Sequence, residues 1–486
     1  EYIRLIAAGR YGDAYMVNWN SNVFPGILGR TCDRPCEPAC RRGRVEEGNV
    51  EIRKPVSHEH GSQPEPVAIC RLKRVAADHK DDITQFLPKA PKQKNGKRIA
   101  CIGGGPASLT VARDLAPLGY DITIYEADPK AGGFMRSQVP RFRLPEAVID
   151  EEVGYITGIG NITVRTGTRV DSLKKILAEN YDAVFVGTGA PRGRDLDVPG
   201  RTEGAKNIHL GIDWLASVSF GHIEKIGKRV IVLGGGNTAM DCCRSSRRLG
   251  GEDVKVVVRS GFEEMKASPW EKEDAQHEGI PILNFLSPKQ FTHDKGKLTG
   301  VTFQKMGWVE EGGKKKLLPT GEPDVHHECD DVLMAVGQEN AFPWMERDIG
   351  MAFDKWDMPV VDTVTMQSTI PNVFFGGDAA FGPKNIIWAV AHGHDAAVSI
   401  DLMLNGNAVG ERPPPGVSMM STKMGIHEWA YDNDVSNDLR FKVPLVDTAV
   451  ALKNVKMEVE KGYDPLLGYK EARRCLNCDV QTVFAA

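Results

Sequence analysis

The sequence lacks the features that would place it among membrane, nucleic-acid-binding or secreted proteins. No apolar run reaches the roughly 18 residues of a membrane-spanning helix, so no membrane span is predicted. Lysine and arginine total 61 against 65 aspartate and glutamate, and this net charge of −4 provides no basic surface for nucleic acid. The first residues have the pattern of an amphipathic helix rather than of a signal peptide. The composition that remains is that of an ordinary soluble protein, with 41% hydrophobic and 26% charged residues.

Hydrolase motifs are also missing. No Ser–His–Asp arrangement and no H-E-x-x-H string stands out, and the string HEHG at His58 is interpreted as a polar surface loop. The length of 486 residues indicates roughly two to four domains. Because the first residue is Glu1 rather than methionine, we expect residues to precede it in the full protein.

Ten cysteines are present, and their distribution is uneven. Three lie close together at Cys32, Cys36 and Cys40, and two more at Cys475 and Cys478. In a chain of this length without a secretion signal, such groups favour metal binding over disulfides and indicate the cytoplasm. Thiolates that converge from an irregular loop are the usual ligands of iron–sulfur clusters.

Several alternatives stay open for these thiols. Three thiolates do not complete a four-ligand site, and Cys70 is the internal candidate for the fourth position. Zinc also favours four thiolates, and free thiols are the remaining interpretation. The adjacent Cys242 and Cys243 lack the C-x-x-C spacing of a redox-active pair and are predicted to be packing residues, as are Cys101 and Cys329.

After a polar segment that starts at Pro88, the chain alternates strands and helices. Two strand–glycine turn–helix units about 130 residues apart predict duplicated α/β nucleotide-binding modules. The predicted strands lie in RIACI, YDITIYEA, YDAVFVGTGA, KRVIVLGGG, VKVVVRS, DVLMAVGQ and NVFFGGDAA, and a long helix lies in KNIIWAVAHGHDAAVSIDLML.

The first glycine turn, IACIGGGPAS, places Gly103, Gly105 and Ser108 in a G-x-G-x-x-S pattern. Gly103 permits the tight turn, and Gly105 lets a pyrophosphate approach the unpaired N–H groups of a helix N-terminus. Glu126 ends the next strand, where a carboxylate can accept hydrogen bonds from a ribose diol. A tight turn without a ligand is the alternative.

The second turn, GGGNTAMD, contains Gly234, Gly236 and Ala239, and its next strand ends in Arg259 rather than in an acid. A cation at that position can pair with a 2′-phosphate, so NADP(H) is favoured over NAD(H). A solvated residue at a strand end is the alternative interpretation of Arg259. Two turns with different ribose partners indicate two different dinucleotides, most simply FAD and NADP(H).

These turns, together with GRTCDRPCEPACRRG, PVAICRLKR, GGFMRSQVPRFRLP and FFGGDAA, resemble the glutamate synthase small-subunit family. The flavin half of dihydropyrimidine dehydrogenase is a more distant relative. The resemblance covers residues 1 to about 405. It implies an α/β fold with two Rossmann-like domains, for FAD and for NAD(P), behind a helical iron–sulfur domain.

The resemblance also implies the domain boundaries. Residues 1–90 would form the helical cysteine-rich iron–sulfur domain. The FAD-binding domain would combine residues 91–205 and 331–405, and the NAD(P)H-binding domain would lie between them at 206–330. A C-terminal extension with a C-x-x-C pair would occupy residues 406–486.

Site residues follow from the matching strings. His392 and His394, near the flavin helix, are interpreted mainly as structural, and no side chain is assigned as catalytic. For Asp378, a helix N-cap or turn role is the alternative. The residues implied to contact FAD are Gly103, Gly105, Pro106, Ala107, Glu126, Gly132, Gly133, Arg143, Gly377, Asp378, Asn385, Ile386 and Ile387.

The implied NADPH residues are Gly234, Gly236, Asn237, Thr238 and Arg259. Ser260 stands where the family usually has a second arginine, which leaves NAD(H) as an alternative coenzyme.

The iron–sulfur assignment draws on both ends of the chain. Cys32, Cys36 and Cys40 resemble the family's iron–sulfur region, and a 4Fe-4S cluster is expected. Cys475 and Cys478 lie in EARRCLNCD, which resembles the motif that opens the family's N-terminal cluster region but stands here at the other end. An incidental reduced pair is the alternative for these two.

The function implied is that of an electron-transfer flavoprotein subunit between NADPH, FAD and iron–sulfur clusters. Its partner would be a catalytic large subunit or a ferredoxin-linked or 2-oxoacid oxidoreductase, so a hetero-oligomer is expected. A stand-alone NAD(P)H reductase and a flavin-bound scaffold without turnover are the competing hypotheses.

Overall fold

The computed structural model describes residues 1–43, 65–412, 436 and 438–478. The predicted surface loop at His58 lies outside these residues. The helices are α1 Tyr2–Ala7, α2 Tyr11–Asn22, α3 Pro25–Thr31, α4 Ile69–Asp78, α5 Pro106–Leu115, α6 Phe134–Ser137, α7 Glu146–Thr157, α8 Leu173–Ala178, α9 Gly211–Ser219, α10 Asn237–Arg248, α11 Pro269–His277, α12 Asp378–Phe381, α13 Ile386–Leu404, α14 Thr448–Ala451 and α15 Pro465–Ala472.

The strands alternate with these helices through the middle of the chain. They are β1 Arg98–Ile102, β2 Asp121–Tyr125, β3 Ile162–Arg165, β4 Ala183–Val186, β5 Arg192–Gly193, β6 Ile208–Leu210, β7 Arg229–Leu233, β8 Asp253–Val257, β9 Ile282–Leu283, β10 Leu286–Asp294, β11 Lys297–Glu311, β12 Lys314–Pro319, β13 Val325–Glu328, β14 Asp331–Met334, β15 Gln338–Glu339 and β16 Val373–Phe375.

Five parallel strands form the first sheet, in the order β16-β4-β1-β2-β3. The central strands β1 and β4 are short apolar runs whose residues are almost all buried, as expected for parallel strands covered on both faces. Helix α13 packs against α5 on one side of this sheet. The order changes direction at β1, so a crevice opens at the carboxyl end of β1 beside β4, where nucleotides bind in such sheets.

A second parallel sheet repeats this arrangement, in the order β6-β14-β7-β8-β9. The two sheets confirm the predicted α/β class with two Rossmann-like units. The division into domains stays a prediction, but β14 bears on one boundary. The predicted boundary at residue 331 assigns β14 to the FAD-binding domain. In the structure this strand pairs with β6 and β7 of the second sheet.

An antiparallel sheet of β10, β11, β12 and β13 lies between β9 and β14 along the chain. The sequence analysis does not predict it. Much of β12 and β13 is exposed, so these strands lack the apolar runs that identify the buried parallel strands.

The N-terminal helices form a separate layer. The sequence analysis predicts one helix over the first 15 residues, but α1 ends and α2 begins around Gly9, whose φ of +71° breaks the helix. Helix α15 packs on α1 and α4, which brings the C-terminal segment onto the start of the chain. Among the described residues, no helix is both long enough and apolar enough to cross a membrane.

Buried ion pairs link the two nucleotide units, the first built on the sheet β16-β4-β1-β2-β3 and the second on the sheet β6-β14-β7-β8-β9. Arg143, in the loop after α6, pairs with Asp241 at 2.5 Å and with Glu271, and all three side chains are nearly inaccessible. Arg244 and Arg248 on α10 continue the network by pairing with Glu278. The two sheets are therefore held together by charges that lie away from solvent.

Candidate functional site

The first glycine turn lies at the carboxyl end of β1, in front of α5. Gly103 has a φ of +92°, and a Cβ built there would lie 2.6 Å from the carbonyl oxygen of Gly187. Gly105 precedes α5, and Pro106 is the first helical residue, where no N–H is needed. The turn therefore presents the N-terminus of α5 to the crevice.

Two other predicted segments meet this turn. A Cβ on Gly133 would lie 2.8 Å from Cα of Gly105, so the two backbones touch. A Cβ on Gly377 would lie 3.4 Å from Cβ of Ala107. Residues separated by more than 270 positions along the chain thus surround one helix N-terminus, where the backbone forms a cradle that side chains would fill.

Glu126 lies at the rim of this cradle. Its Oε2 accepts from the backbone N–H of Gly104 at 2.8 Å, and its Oε1 accepts from that of Asp128 at 2.8 Å. Burial raises the pKa of this carboxyl, against the effect of those two N–H groups. The carboxylate is therefore fixed in direction at the end of β2, next to the turn.

Three buried oxygen atoms near the cradle have no hydrogen-bond partner among the described residues: Oγ of Ser108, Oγ1 of Thr188 and Oδ1 of Asn340. Thr188 follows β4 beside Gly103, and Asn340 donates to the carbonyls of Asp378 and Ala379. Buried polar atoms are normally hydrogen-bonded, and a polar ligand in the crevice would supply partners for these three oxygens. The residues present fit a dinucleotide.

Asp378 and Asn385 define the approach to α13. Oδ1 of Asp378 accepts from the backbone N–H of Lys384 at 2.9 Å, and burial raises the pKa of this carboxyl. Asn385 caps α13, because its side chain accepts from the N–H of Trp388 at 3.2 Å. Ile386 is the first residue of α13 and is buried, whereas Ile387 is half-buried.

The two histidines of α13 have structural partners. The backbone N–H of Gly377 donates to Nδ1 of His392 at 3.2 Å, and burial lowers the pKa of His392 to about 4. A neutral ring that accepts a backbone hydrogen bond holds the Gly377 turn in place. His394 contacts Asp114 at 2.5 Å through Nδ1 and the carbonyl of Ser21 through Nε2.

The second glycine turn has the same form. A Cβ on Gly234 would lie 2.2 Å from the carbonyl oxygen of Ala335, so only glycine fits. A Cβ on Gly236 would meet nothing within 4 Å, so the space in front of α10 is open. Asn237 and Thr238 follow as the first residues of α10. A pyrophosphate can approach this helix N-terminus.

Arg259 lies after β8 and is exposed, and the side chain of the preceding Val258 lies next to Gly235 of the second turn. No hydrogen bond or ion pair to another described residue engages its guanidinium, so the charge is available to an anion. Ser260 beside it accepts through its carbonyl from Phe285 and Asn284 and supplies no second cation.

Arg143 is also among the residues predicted to contact FAD. Its guanidinium is engaged by Asp241 and Glu271 of the second unit. Its contact with FAD stays a prediction. The structure places this arginine where it joins the two nucleotide units.

The predicted metal-binding cysteines form two groups. In the first, burial and, to a smaller extent, the nearby Cys70 thiol raise the pKa of Cys32 to about 11. Cys36 is close enough to Cys70 to be affected in the same way. Lys73 is 5% exposed and lowers the pKa of both Cys32 and Cys36, so a cation faces these thiols.

The second group joins the two ends of the described chain. Burial raises the pKa of Cys475, with smaller contributions from Cys478 and Cys40. Helix α15 carries the pair to this place, since Arg474 donates to the carbonyl of Glu65 at 2.9 Å. The grouping of Cys40 with Cys32 and Cys36 stays a prediction.

No three His, Cys, Asp or Glu side chains within the described ranges are close enough together to hold a single metal ion. In a 4Fe-4S cluster each thiolate binds its own iron, so the ligands stand further apart than those of one ion. The choice between a cluster and zinc for these thiols stays a prediction. Cys101, Cys242, Cys243 and Cys329 are fully buried among apolar residues, as packing residues would be.

Sequence reasoning missed three residues that the structure brings to the site: Asp33, Thr188 and Asn340. Thr188 lies in the small-residue end of a predicted strand, which is a signal that could have found it. Asn340 follows β15 and Asp33 follows Cys32, and neither has a local pattern that marks it.

Two Rossmann-like units, each with a glycine turn that opens a helix N-terminus to a crevice, define the class of nicotinamide-nucleotide-dependent flavin oxidoreductases. The chain belongs to the pyridine nucleotide-disulphide oxidoreductase family, whose model matches residues 97–393.

Comparison with known proteins agrees with this class. The chain is 32% identical to the NADP(+)-dependent formate dehydrogenase subunit beta of Moorella thermoacetica, over 98% of this chain and 68% of the relative. It is 30% identical to the glutamate synthase [NADPH] small chain of Azospirillum brasilense, over 82% of this chain and 83% of the relative. Both relatives carry the names of subunits, and the second confirms the family resemblance.

Among solved structures, FprA of Mycobacterium tuberculosis in complex with NADPH matches with a TM-score of 0.54 and 18% identity. The match covers 64% of this chain and 85% of that chain. This likeness supports the fold alone.

Proposed function

We propose that the protein is an electron-transfer subunit that moves electrons between NADPH, FAD and iron–sulfur clusters of a larger oxidoreductase complex. The observation that carries this proposal is the arrangement of one loop. The segment after Cys32 touches the N-terminal ends of α10 and α13, which follow the second glycine turn and the Gly377 turn. The proposed thiol, nicotinamide and flavin sites would therefore meet at one place.

The first cradle is the proposed FAD site. The backbone around Gly105 and Gly133 would receive the pyrophosphate at the N-terminus of α5, and Glu126 would accept hydrogen bonds from the adenosine ribose. Asp378 and the N-terminus of α13 would face the remainder of the cofactor. The chemistry that FAD would supply when it is bound is the acceptance of a hydride, followed by the release of its two electrons one at a time and of its proton to solvent.

The second turn is the proposed NADPH site. Gly236, Asn237 and Thr238 would face the pyrophosphate, and Arg259 would pair with the 2′-phosphate. A single cation, without a second arginine at Ser260, predicts a moderate preference for NADPH over NADH.

Two clusters are proposed for the two thiol groups. Cys32, Cys36 and Cys70 would hold one, with Lys73 offsetting its negative charge. Cys40, Cys475 and Cys478 would hold ligand positions of the other. Three thiols in each group leave one position for a further ligand, from this chain or from a partner.

The partner is proposed to be a catalytic large subunit or a ferredoxin-linked oxidoreductase. Support comes from the names of the two relatives, which are a subunit beta and a small chain. Co-purification from the native host followed by a native mass measurement tests this point, and a monomeric mass with full activity on small acceptors would favour a stand-alone reductase.

Anaerobic titration of the purified protein with NADPH and with NADH, following flavin absorbance, tests the proposed function. Bleaching by NADPH at stoichiometric amounts is the expected result. Absence of bleaching with both coenzymes would contradict it.

The role of Arg259 can be tested separately. Arg259→Ala should raise the NADPH concentration for half-maximal bleaching rate by about 10-fold, because one charged pair is lost, and leave that for NADH unchanged. Lys206→Ala, an exposed cation of the same unit, serves as control. Equal effects on NADPH and NADH would contradict the assignment.

A further inference from the structure

We propose that Asp33 is a positioning residue that holds the nicotinamide unit and the flavin unit in register for hydride transfer, an inference that rests on the proposed function. Asp33 follows Cys32 and is half-buried between three parts of the molecule. It belongs to the N-terminal layer, yet both carboxylate oxygens are engaged by the other two units.

The contacts divide between the two oxygens. Oδ1 accepts from Nδ2 of Asn237 and from Oγ of Ser268, both at 3.4 Å. Oδ2 accepts from Nδ2 of Asn385 at 3.1 Å. Asn237 and Ser268 belong to the second sheet's unit, and Asn385 caps α13 of the first.

Both amides have only one orientation available. Oδ1 of Asn237 accepts from the N–H of Ser268 at 2.8 Å, and Oδ1 of Asn385 accepts from the N–H of Trp388 at 3.2 Å. Because each amide oxygen is committed to a backbone donor, each NH₂ group must point at Asp33. A carboxylate accepts from both without a rotation of either side chain.

Electrostatics favour the same placement. The carboxylate lies beside the first residue of α10 and the cap of α13, and a negative charge is stabilised at helix N-termini. The next residue strengthens the contact, since the guanidinium of Arg34 lies 4.1 Å from the ring centroid of Trp270. The backbone N–H of Arg34 also donates to Sγ of Cys32 at 3.3 Å.

These contacts have a consequence for the reaction. In hydride transfer the nicotinamide and the flavin must approach within van der Waals distance, and an error of about 1 Å can lower a rate by about 100-fold. The two glycine turns fix each nucleotide within its own unit. Asp33 contacts the first residue of α10, which follows the second glycine turn, and the cap of α13, which follows the Gly377 turn, so it constrains the relative position of the two units.

Asp33→Asn removes the charge and leaves one oxygen, so one of the two asparagine NH₂ groups loses its acceptor. In the full chain, we expect the limiting rate of flavin bleaching by NADPH to fall at least about 10-fold. The NADPH concentration for half-maximal rate should change by a smaller factor than the limiting rate, because Arg259 and the glycine turn are untouched and, in the proposed NADPH site, only the amide of Asn237 loses a partner. Anaerobic stopped-flow absorbance measures both quantities.

Asp81→Asn is the matched control, since Asp81 is an exposed carboxylate of the same N-terminal layer. A second measurement does not depend on activity. Hydrogen exchange followed by mass spectrometry should show faster exchange at the N–H groups of Ser268 and Trp388 in Asp33→Asn but not in the control.

The outcomes separate the two proposals. Bleaching of the wild type and of Asp33→Asn at equal limiting rates would overturn the inference and leave the proposed function standing. A loss of flavin content with an unchanged rate in the loaded fraction would show a merely structural role and would also overturn it. A wild type that NADPH does not bleach would overturn the proposed function, and the inference with it.

Discussion

The buried carboxylate of Glu152 fixes the first turn of α3, the helix that precedes the cysteine loop. Glu152 on α7 accepts from the backbone N–H groups of Gly26 at 2.6 Å and Ile27 at 2.9 Å, and from the hydroxyl of Tyr15 at 2.8 Å. The two N–H groups belong to the first turn of α3, where no donor has an intrahelical partner. Burial outweighs these hydrogen bonds and raises the pKa of Glu152 to about 7.

The raised pKa of Glu152 predicts that the free energy of unfolding depends on pH. Because the pKa of Glu152 is raised in the folded state, its contribution to stability is fully present below the pKa that it has in the unfolded chain. That contribution is lost as the pH rises through about 7. The loss attributable to Glu152 is on the order of 3 kcal/mol between pH 5 and pH 8. Urea unfolding at both pH values measures it.

Glu152→Gln is the informative variant for this prediction. It should be less stable than the wild type at pH 5 by about 1–3 kcal/mol, because its NH₂ group faces a backbone donor. It should also show a smaller fall toward pH 8, since glutamine does not ionise. An unchanged pH dependence would contradict the assignment of the titration to Glu152.

The contact between the backbones of Gly105 and Gly133 predicts how a substitution would affect the proposed FAD site. Gly133→Ala would place a Cβ 2.8 Å from Cα of Gly105 at a φ of +49°. We expect the purified variant to lose most of its flavin, measured as the ratio of flavin to protein absorbance.

Gly167→Ala is the matched control for this substitution. Its φ of +62° is similar, but its Cβ would meet nothing within 4 Å. It should therefore cost about 1 kcal/mol of stability and retain the flavin. Equal flavin loss in both variants would show that backbone strain, not closure of the cradle, is responsible.

At the scale of elements, the C-terminal segment from residue 438 to 478 ties the N-terminal helices together. Glu458 pairs with Arg30 at 2.7 Å and with Arg74 at 2.9 Å, and both arginine side chains are at most 5% exposed. Glu471 accepts from the N–H of Ala68 at 2.8 Å, close to the start of α4. The predicted ligands Cys475 and Cys478 depend on this segment, because they follow α15, which packs on α1 and α4.

Glu458→Ala tests this role of the segment. Both arginines keep Asp78 as a partner, so the loss of stability should be moderate, about 1–3 kcal/mol. Peptides from residues 438–478 should exchange backbone hydrogens faster. Glu252→Ala, which removes a pair that is mostly exposed, should change stability by less than about 0.5 kcal/mol. Unchanged backbone hydrogen exchange in residues 438–478 would contradict the proposal that this segment holds the N-terminal helices together.

At the scale of the whole molecule, buried charges connect the two nucleotide units. Arg143 from the first unit is paired with Asp241 and Glu271 of the second. Burial raises the pKa of Asp241, and Arg143 is the largest influence that lowers it. The carbonyl of Phe142, next to Arg143, accepts from the N–H of Val459 at 2.9 Å, so the C-terminal segment reaches the same junction.

Arg143→Leu should therefore destabilise the junction between the units. Removal of one partner leaves buried carboxylates without their cation, at a loss of about 3–5 kcal/mol. The loss should be larger at pH 8 than at pH 6, because the pKa of Asp241 rises further and the folded state then resists ionisation. Calorimetry should resolve two transitions where the wild type shows one.

The control for this prediction is Arg347→Leu, which removes an exposed pair with Asp357. It should leave a single transition at nearly the wild-type temperature. A single, unshifted transition in Arg143→Leu would contradict the prediction that the ion pairs of Arg143 stabilise the contact between the two units.

The local patterns of the sequence were sufficient for the two α/β units. Buried parallel strands are short apolar runs, and a glycine turn between strand and helix is a local arrangement, so both are visible in a few consecutive residues. The strands β1, β7 and β16 and the long helix α13 lie where their patterns predict them. The two-sheet fold class was therefore predictable from the sequence.

Tertiary structure alone decided how these parts meet. The pairing of Asp33 with Asn385 spans more than 350 residues, so no local pattern can reveal it. Arg143 has a matching motif for a flavin contact, yet its nearest charged partners lie on another unit. Periodicity records which residues are buried, whereas the choice of partner depends on packing between distant elements.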